Sequence, residues 1–143
     1  MELKLKSFEV RDAEIGLIAQ KAPAAATLRS AAFPNTKLTA PASLSNLRIV
    51  EALDLSNTGV TDLTPLARSL KLRRLNLGGL QPESLAPLRS LPLLIDLTIS
   101  PETARDPSAR KEIDRLSRLA YLRTPEDPPR QSVAEFREKY PLE

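Results

Sequence analysis

Several side chains in this sequence belong to types that do chemistry, and each lacks the companion that its chemistry needs. Ser56, Ser84 and Ser100 would act as nucleophiles only beside a general base. The sequence contains no histidine and no cysteine, and no lysine stands at a spacing that makes a dyad with any of the three. Gly78-Gly79 follows a strand-like segment, as a phosphate-cradling loop would. Neither Gly-Lys-Ser/Thr nor a third glycine comes after it, so the pair marks a turn. Asp62, Glu83, Glu112 and Asp114 fall in turns or on helix surfaces with no partner base, the pattern of solvated charge or helix-start residues. Without histidine the commonest general base and metal ligand are missing. Without cysteine there is no disulfide, no thiolate zinc site and no thiol nucleophile. The expectation is a protein that is not an enzyme and holds no cofactor and no metal.

Non-covalent recognition remains, and the elements that would position it repeat. Val50-x-x-Leu53-x-Leu55-x-x-Thr58-x-Val60, followed by Leu63 and Leu66, matches Leu72-x-x-Leu75-x-Leu77-x-x-Leu80, followed by Leu85 and Leu88, at an offset of 22 residues. Each copy is one short strand and one turn that cannot bury its apolar side alone, so only stacking closes a core. Leu94-x-x-Leu97-x-Ile99 continues the series, with Ile113, Leu116 and Leu119 on a longer return. Leu28-x-x-Ala31-x-Phe33 precedes it, leading to Leu38, Leu44 and Leu47. An outer copy begins Leu5-x-x-Phe8-x-Val10, and Leu119-x-x-Leu122-x-Thr124 supplies a last strand. About six parallel strands follow, in a curved sheet whose return segments, with Pro65 and Pro87, lie on the convex side.

In such strands Leu53 and Leu55 point inward, while Ala52, Asp54 and Ser56 point outward. One outward column reads Ser7, Ser30, Ala52, Arg74, Asp96, Tyr121, and its neighbour reads Glu9, Ala32, Asp54, Asn76, Thr98, Arg123. The N-terminal half is small and bland, and the C-terminal half carries the arginine and tyrosine side chains that anchor interfaces. Asp54, Arg74, Asn76, Asp96, Thr98, Tyr121 and Arg123 are therefore the candidate residues for binding a partner protein, with Tyr121 and Arg123 as anchors.

The pattern resembles the leucine-rich-repeat family, in its 22-residue subclass found in bacterial internalin-like proteins and in the regulatory subunit of type-1 phosphatase. Leu53-Asp54-Leu55-Ser56-Asn57-Thr58-Gly59-Val60-Thr61-Asp62-Leu63-Thr64-Pro65-Leu66 carries the resemblance most closely, and Leu85-Ala86-Pro87-Leu88 repeats its end. Thr58 and Leu80 stand where the family usually has asparagine. The resemblance implies an α/β solenoid with a short curved parallel sheet, an irregular or helical convex side, and a helical C-terminal cap. It also implies a pre-formed protein-binding surface and a bacterial source.

The remaining segments complete one domain over residues 1–143, with repeats over about 5–124 and the cap over about 125–143. Pro101–Pro107 reads as a proline-flanked loop. Asp106-Pro107 opens a helix near 107–119, and Ser132-x-x-Glu135 is a capping box for a final helix lined by Val133, Phe136 and Tyr140. Lys4 and Lys6 guard the first edge strand, unless that edge is a dimer contact or a junction to an upstream region. With 41% hydrophobic and 27% charged residues the chain is globular rather than disordered. No signal peptide or membrane span is visible, which gives a cytoplasmic expectation. The net charge of +3 comes from the central repeats, where Arg73 and Arg74 offer a weaker reading as a nucleic-acid or anionic-surface binder. On 107–119, Glu112 and Asp114 interleave with Arg110, Lys111, Arg115 and Arg118, so a solvated face accounts for that helix better than nucleic acid does. A further alternative is a structural or regulatory domain of a larger protein.

Overall fold

A computed structural model describes residues 2–4 (as backbone), 29–35, 38 and 47–142. Six parallel strands lie side by side in sequence order: β1 Glu2–Lys4, β2 Ser30–Ala32, β3 Ala52–Asp54, β4 Arg74–Leu77, β5 Asp96–Ile99 and β6 Tyr121–Arg123. Ser30 pairs with Ala52, Ala52 with Arg74, and Arg74 with Asp96. Four consecutive strands thus keep one 22-residue offset, and every inward leucine meets its equivalent in the next turn. Leu53, Leu75, Leu97 and Leu122 form the inner row, and Leu55, Leu77 and Ile99 form a second one. Burying one such side chain contributes about 2 kcal/mol.

On the return side, Thr64–Arg68 and Ala86–Ser90 are 3-10 turns, each with its proline at the entry. Proline suits that position because its missing N–H would have no partner there. Leu63, Leu66, Leu85 and Leu88 are buried against the same core as the strands. Asp62 accepts the Thr64 N–H at 2.8 Å, and Ser84, one repeat later, accepts the Ala86 N–H at 3.0 Å. Glu112 reaches this turn from the next return segment, accepting from Ser84 Oγ at 2.8 Å and from the Leu85 N–H. Asp62 thus serves as a helix-start acceptor, one of the two expected roles, and Glu112 fixes the turn of the preceding repeat.

The residue two places beyond each strand's second inward position carries the chain through a left-handed conformation. Asn35, Asn57 and Gly79 have φ of 58°, 54° and 75°, and asparagine and glycine are the residues that tolerate it. Asn35 and Asn57 donate their N–H to Ser56 O and Gly78 O at 3.0 and 2.9 Å, so each turn hangs on the next. At the corresponding position of the following repeat stands Pro101, which cannot adopt positive φ. There the chain enters α1, Pro101–Arg105, with Ser100 as N-cap accepting from the Thr103 N–H. The expected loop over Pro101–Pro107 is thus a helix. Ser100 followed by proline was a start signal of the same kind as Asp106-Pro107.

Asp106 caps α2, accepting from the N–H groups of Ser108 and Ala109. This helix is Pro107–Ile113 and stops well short of residue 119. Beyond it Leu116 N–H donates to Ile113 O at 2.9 Å, and Leu119 N–H to Leu116 O at 3.1 Å. Apolar residues spaced at three, with none at four, match that tighter three-residue turn rather than an α-helix. Leu116 and Leu119 still pack against the core. The last helix, α3, is Val133–Lys139, opened by a Ser132–Glu135 capping box in which both reciprocal bonds form. It lies against β6, whose edge is closed when Leu122 N–H donates to Gln131 O and Val133 N–H to Ala120 O.

The N-terminal repeat differs from its expected place. The strand beside Ser30–Ala32 is Glu2–Lys4, with Leu3 in register with Ala31, and not the segment containing Ser7 and Glu9. Glu2-Leu3-Lys4 places a leucine at the middle strand position, as Ala52-Leu53-Asp54 does. In register, Glu2 stands beside Ser30 and Lys4 beside Ala32. Leu5, Lys6, Ser7, Phe8, Glu9, Val10, Leu28 and Leu44 lie outside the described residues. Among the described residues, no helix is long and apolar enough to cross a membrane.

Candidate functional site

The outer face of the strands carries a shallow hollow of about 320 Å³ that runs from β2 to β6. Strand alternation builds it, because the inward leucines fix each strand in register and leave the intervening residues in two columns on the opposite face. Its floor at the β2–β3 end is Ser30, Ala32 and Ala52, small side chains that leave the space open. Its polar wall is Asp54, Arg74, Asn76, Asp96, Thr98 and Arg123. The structure thus brings together six of the seven residues expected to bind a partner. Tyr121 does not line the hollow; it is half-buried and bridges antiparallel to Ser132 at the sheet edge.

Several of these polar groups also serve the fold. Asp54 Oδ1 accepts from the Ser56 N–H at 2.8 Å and from Ser56 Oγ at 2.7 Å, and Asn76 Oδ1 accepts from the Gly78 N–H at 3.0 Å. These two bonds are equivalent across one repeat and turn the chain out of β3 and β4. Among the described residues, the second Asp54 oxygen and the Asn76 amide hydrogens make no side-chain hydrogen bond. Arg123 lies 3.6 Å from Asp96 and donates to Pro129 O, so it braces the wall from the C-terminal side. Thr98, at 4% exposure, contributes shape more than contact. Arg74 is exposed and makes no ion pair among the described residues. Arg29 and Glu51, paired at 3.0 Å, stand at the N-terminal rim of the same strands.

A second polar cluster, which the sequence did not mark, anchors the C-terminal cap. The Asp127 side chain is fully buried and accepts from the Thr124 N–H at 2.7 Å, from Thr124 Oγ1 at 3.0 Å, from Tyr140 OH and from Lys139 Nζ. Burial alone would raise the Asp127 pKa; the bonds from Lys139 and Thr124 outweigh it and hold the carboxyl below the ordinary aspartate value. The bond to Asp127 in turn raises the Lys139 pKa. Arg110, expected on a solvated face, is 5% exposed and donates to Ala104 O at 3.2 Å and Tyr140 O at 2.6 Å. Its guanidinium lies 5.1 Å from the Phe136 ring centroid, and burial lowers its pKa. The spacing of charges on 107–119 could not show this, because the groups that bury Arg110 arrive from α3, about thirty residues later.

The hollow holds no nucleophile–base pair, and among the described residues no group of three acidic side chains could hold a metal ion. Its chemistry is donation and acceptance of hydrogen bonds by the polar wall.

No family model matches the sequence, and no curated protein does. Solved structures do resemble it. An internalin (InlF) of Listeria monocytogenes superposes with a TM-score of 0.61 at 21% identity, over 77% of this chain and 31% of that one. The internalin C2 of the same organism gives 0.58 at 28% identity, over 68% and 42%. A leucine-rich-repeat protein of Leptospira interrogans gives 0.56 at 18% identity, over 85% and 36%. The matched part thus spans less than half the length of each of these proteins.

Proposed function

Because the chain is a leucine-rich-repeat protein, we propose that it is a non-catalytic interaction module that docks a partner protein on the concave face of its sheet. The observation that carries this reading is the hollow itself. Its two columns are held in register by a buried leucine core, so the binding groups are ordered before a partner arrives and the entropic cost of docking is low. Arg74 is the exposed anchor, with Asp54 and Asn76 beside it and Asp96 held by Arg123 behind it. Arginine at the centre of a patch is the kind of side chain on which binding energy concentrates. The small floor over Ser30, Ala32 and Ala52 admits a bulky partner side chain.

The proposal includes one domain over residues 1–143, of the 22-residue subclass, acting in the cytoplasm of a bacterium. It assigns no catalytic step, in keeping with a sequence that has neither histidine nor cysteine. Tyr121 moves from anchor to edge residue, and Arg123 from anchor to brace.

Capture from a lysate of the source organism tests the reading. The intact chain is compared with an Ala52→Arg, Arg74→Glu variant, which fills the floor and reverses the anchor while leaving the core untouched. A protein retained by the intact chain and lost with the variant, at unchanged melting temperature, supports concave-face docking. Equal capture by both removes it.

A further inference from the structure

Away from the hollow on the strands, a small, partly open hollow of about 200 Å³ lies between the end of the second 3-10 turn and the turns that follow α2. Arg89 comes from the first element, and Arg115, Ser117 and Arg118 from the second; Pro92 and the edge of Leu116 complete the wall. No carboxylate lines it. Among the described residues none of the three arginines makes an ion pair. The acidic side chains nearest in sequence are engaged elsewhere: Glu112 on Ser84 and Leu85, and Asp114 on Arg137 at 2.6 Å. The three arginines are exposed, so water screens much of their mutual repulsion, and no carboxylate in the lining offsets the remainder. An anion supplied from outside would.

We infer that Arg89, Arg115 and Arg118, with the Ser117 hydroxyl, form a binding site for one phosphate monoester, presented as a phosphoserine by a partner protein. Guanidinium matches phosphate oxygens in paired bonds, and a phosphate monoester brings close to two negative charges and three acceptor oxygens. A carboxylate brings one charge and two oxygens, too little for three arginines. The volume lies below the roughly 300–1,000 Å³ of sites for drug-sized ligands, which suits a single phosphate group and not a nucleotide. No aromatic side chain lines the hollow on which a base could stack. Leu88, Leu91 and Leu94 close the inner end of the hollow but are at most 5% exposed, so the cations and Ser117 supply the contacts. The site stands independently of the concave face, and either can fail without the other.

The test uses the full chain, with nitrogen-15 NMR of the arginine side-chain N–H signals at constant ionic strength. The probes are a short neutral peptide containing one phosphoserine, the same peptide unphosphorylated, and inorganic phosphate. The expected result is saturable shifts of Arg89, Arg115 and Arg118 with the phosphopeptide, none with the unphosphorylated peptide, and at least tenfold weaker binding of inorganic phosphate. An Arg89→Gln, Arg118→Gln variant, whose altered side chains are both exposed, should weaken phosphopeptide binding at least tenfold. Shifts that fail to saturate, or that spread equally to the exposed Arg48 and Arg68, overturn the site. Unchanged affinity in the variant also overturns it, and inorganic phosphate binding as tightly as the peptide overturns the partner-borne source. Should the variant not fold, the shift map of the unaltered chain decides alone.

Discussion

Asp127→Ala is the substitution whose consequences the structure defines most fully. The change deletes the acceptor of the Thr124 N–H and hydroxyl, and Thr124 has no exposed surface, so water cannot replace it. A buried donor left without a partner costs about 1–3 kcal/mol. The bonds from Lys139 and Tyr140 that tie α3 to the segment after β6 are lost as well. A total of about 3 kcal/mol is expected, measured by urea unfolding at pH 7. The pH dependence separates this from simple loss of packing. Asp127 has a folded-state pKa below its unfolded value of about 3.9, so its stabilisation is complete above that value and is lost as pH falls through the folded pKa. Lys139 has a raised pKa, so its share is complete below the unfolded lysine value of about 10.4 and is lost as pH rises through the folded one. The stability gap between the intact chain and Asp127→Ala should therefore be flat between about pH 5 and 9 and should shrink below about pH 4. A gap under about 1 kcal/mol at neutral pH, or one that persists unchanged to pH 2, would refute the assigned role.

Other substitutions test the remaining parts of the fold. Arg110→Ala leaves the Ala104 and Tyr140 carbonyls without their shared donor, Nη1, and should cost about 2–3 kcal/mol in chemical unfolding. Gly79→Ala should cost about 1–2 kcal/mol, from a left-handed φ of 75° and an added Cβ that would stand 2.0 Å from Asn57 Oδ1; in a double-mutant cycle Asn57→Gly should relieve the clash and leave the strain. Leu75→Ala, at a site 2% exposed, should cost about 3 kcal/mol, whereas Leu70→Ala, 51% exposed, should stay within about 0.5 kcal/mol in thermal melts.

The part of this architecture that repeats was legible because its register is written in leucine spacing. Leu53, Leu75 and Leu97 recur at 22, and a slip of one residue would turn the entire inner row outward. The concave columns follow from the same alternation, which is why six of the seven candidate residues share one hollow. What the sequence hid lies where the repeat breaks. Pro101 replaces the left-handed residue of the earlier turns, and a helix takes the place of a loop. The three-residue spacing of Ile113, Leu116 and Leu119 passes for helix when hydrogen-bond geometry is unknown. Arg110 and Asp127 acquire their roles from α3, and such long-range burial leaves no trace in local composition. Tyr121 lies outside the hollow for a related reason, since the Gln131–Val133 segment that covers its strand edge arrives later in the chain.

The central claim is that a partner protein docks against the concave columns. Site-specific photo-crosslinking tests it most directly, with a benzophenone side chain placed at Ala52 or Arg74 inside the hollow, or at the exposed Thr64 on the return side, and irradiation in lysate of the source organism. The account predicts one defined adduct from positions 52 and 74 and none from position 64. An adduct from Thr64 alone, or equal adducts from all three positions, would contradict it.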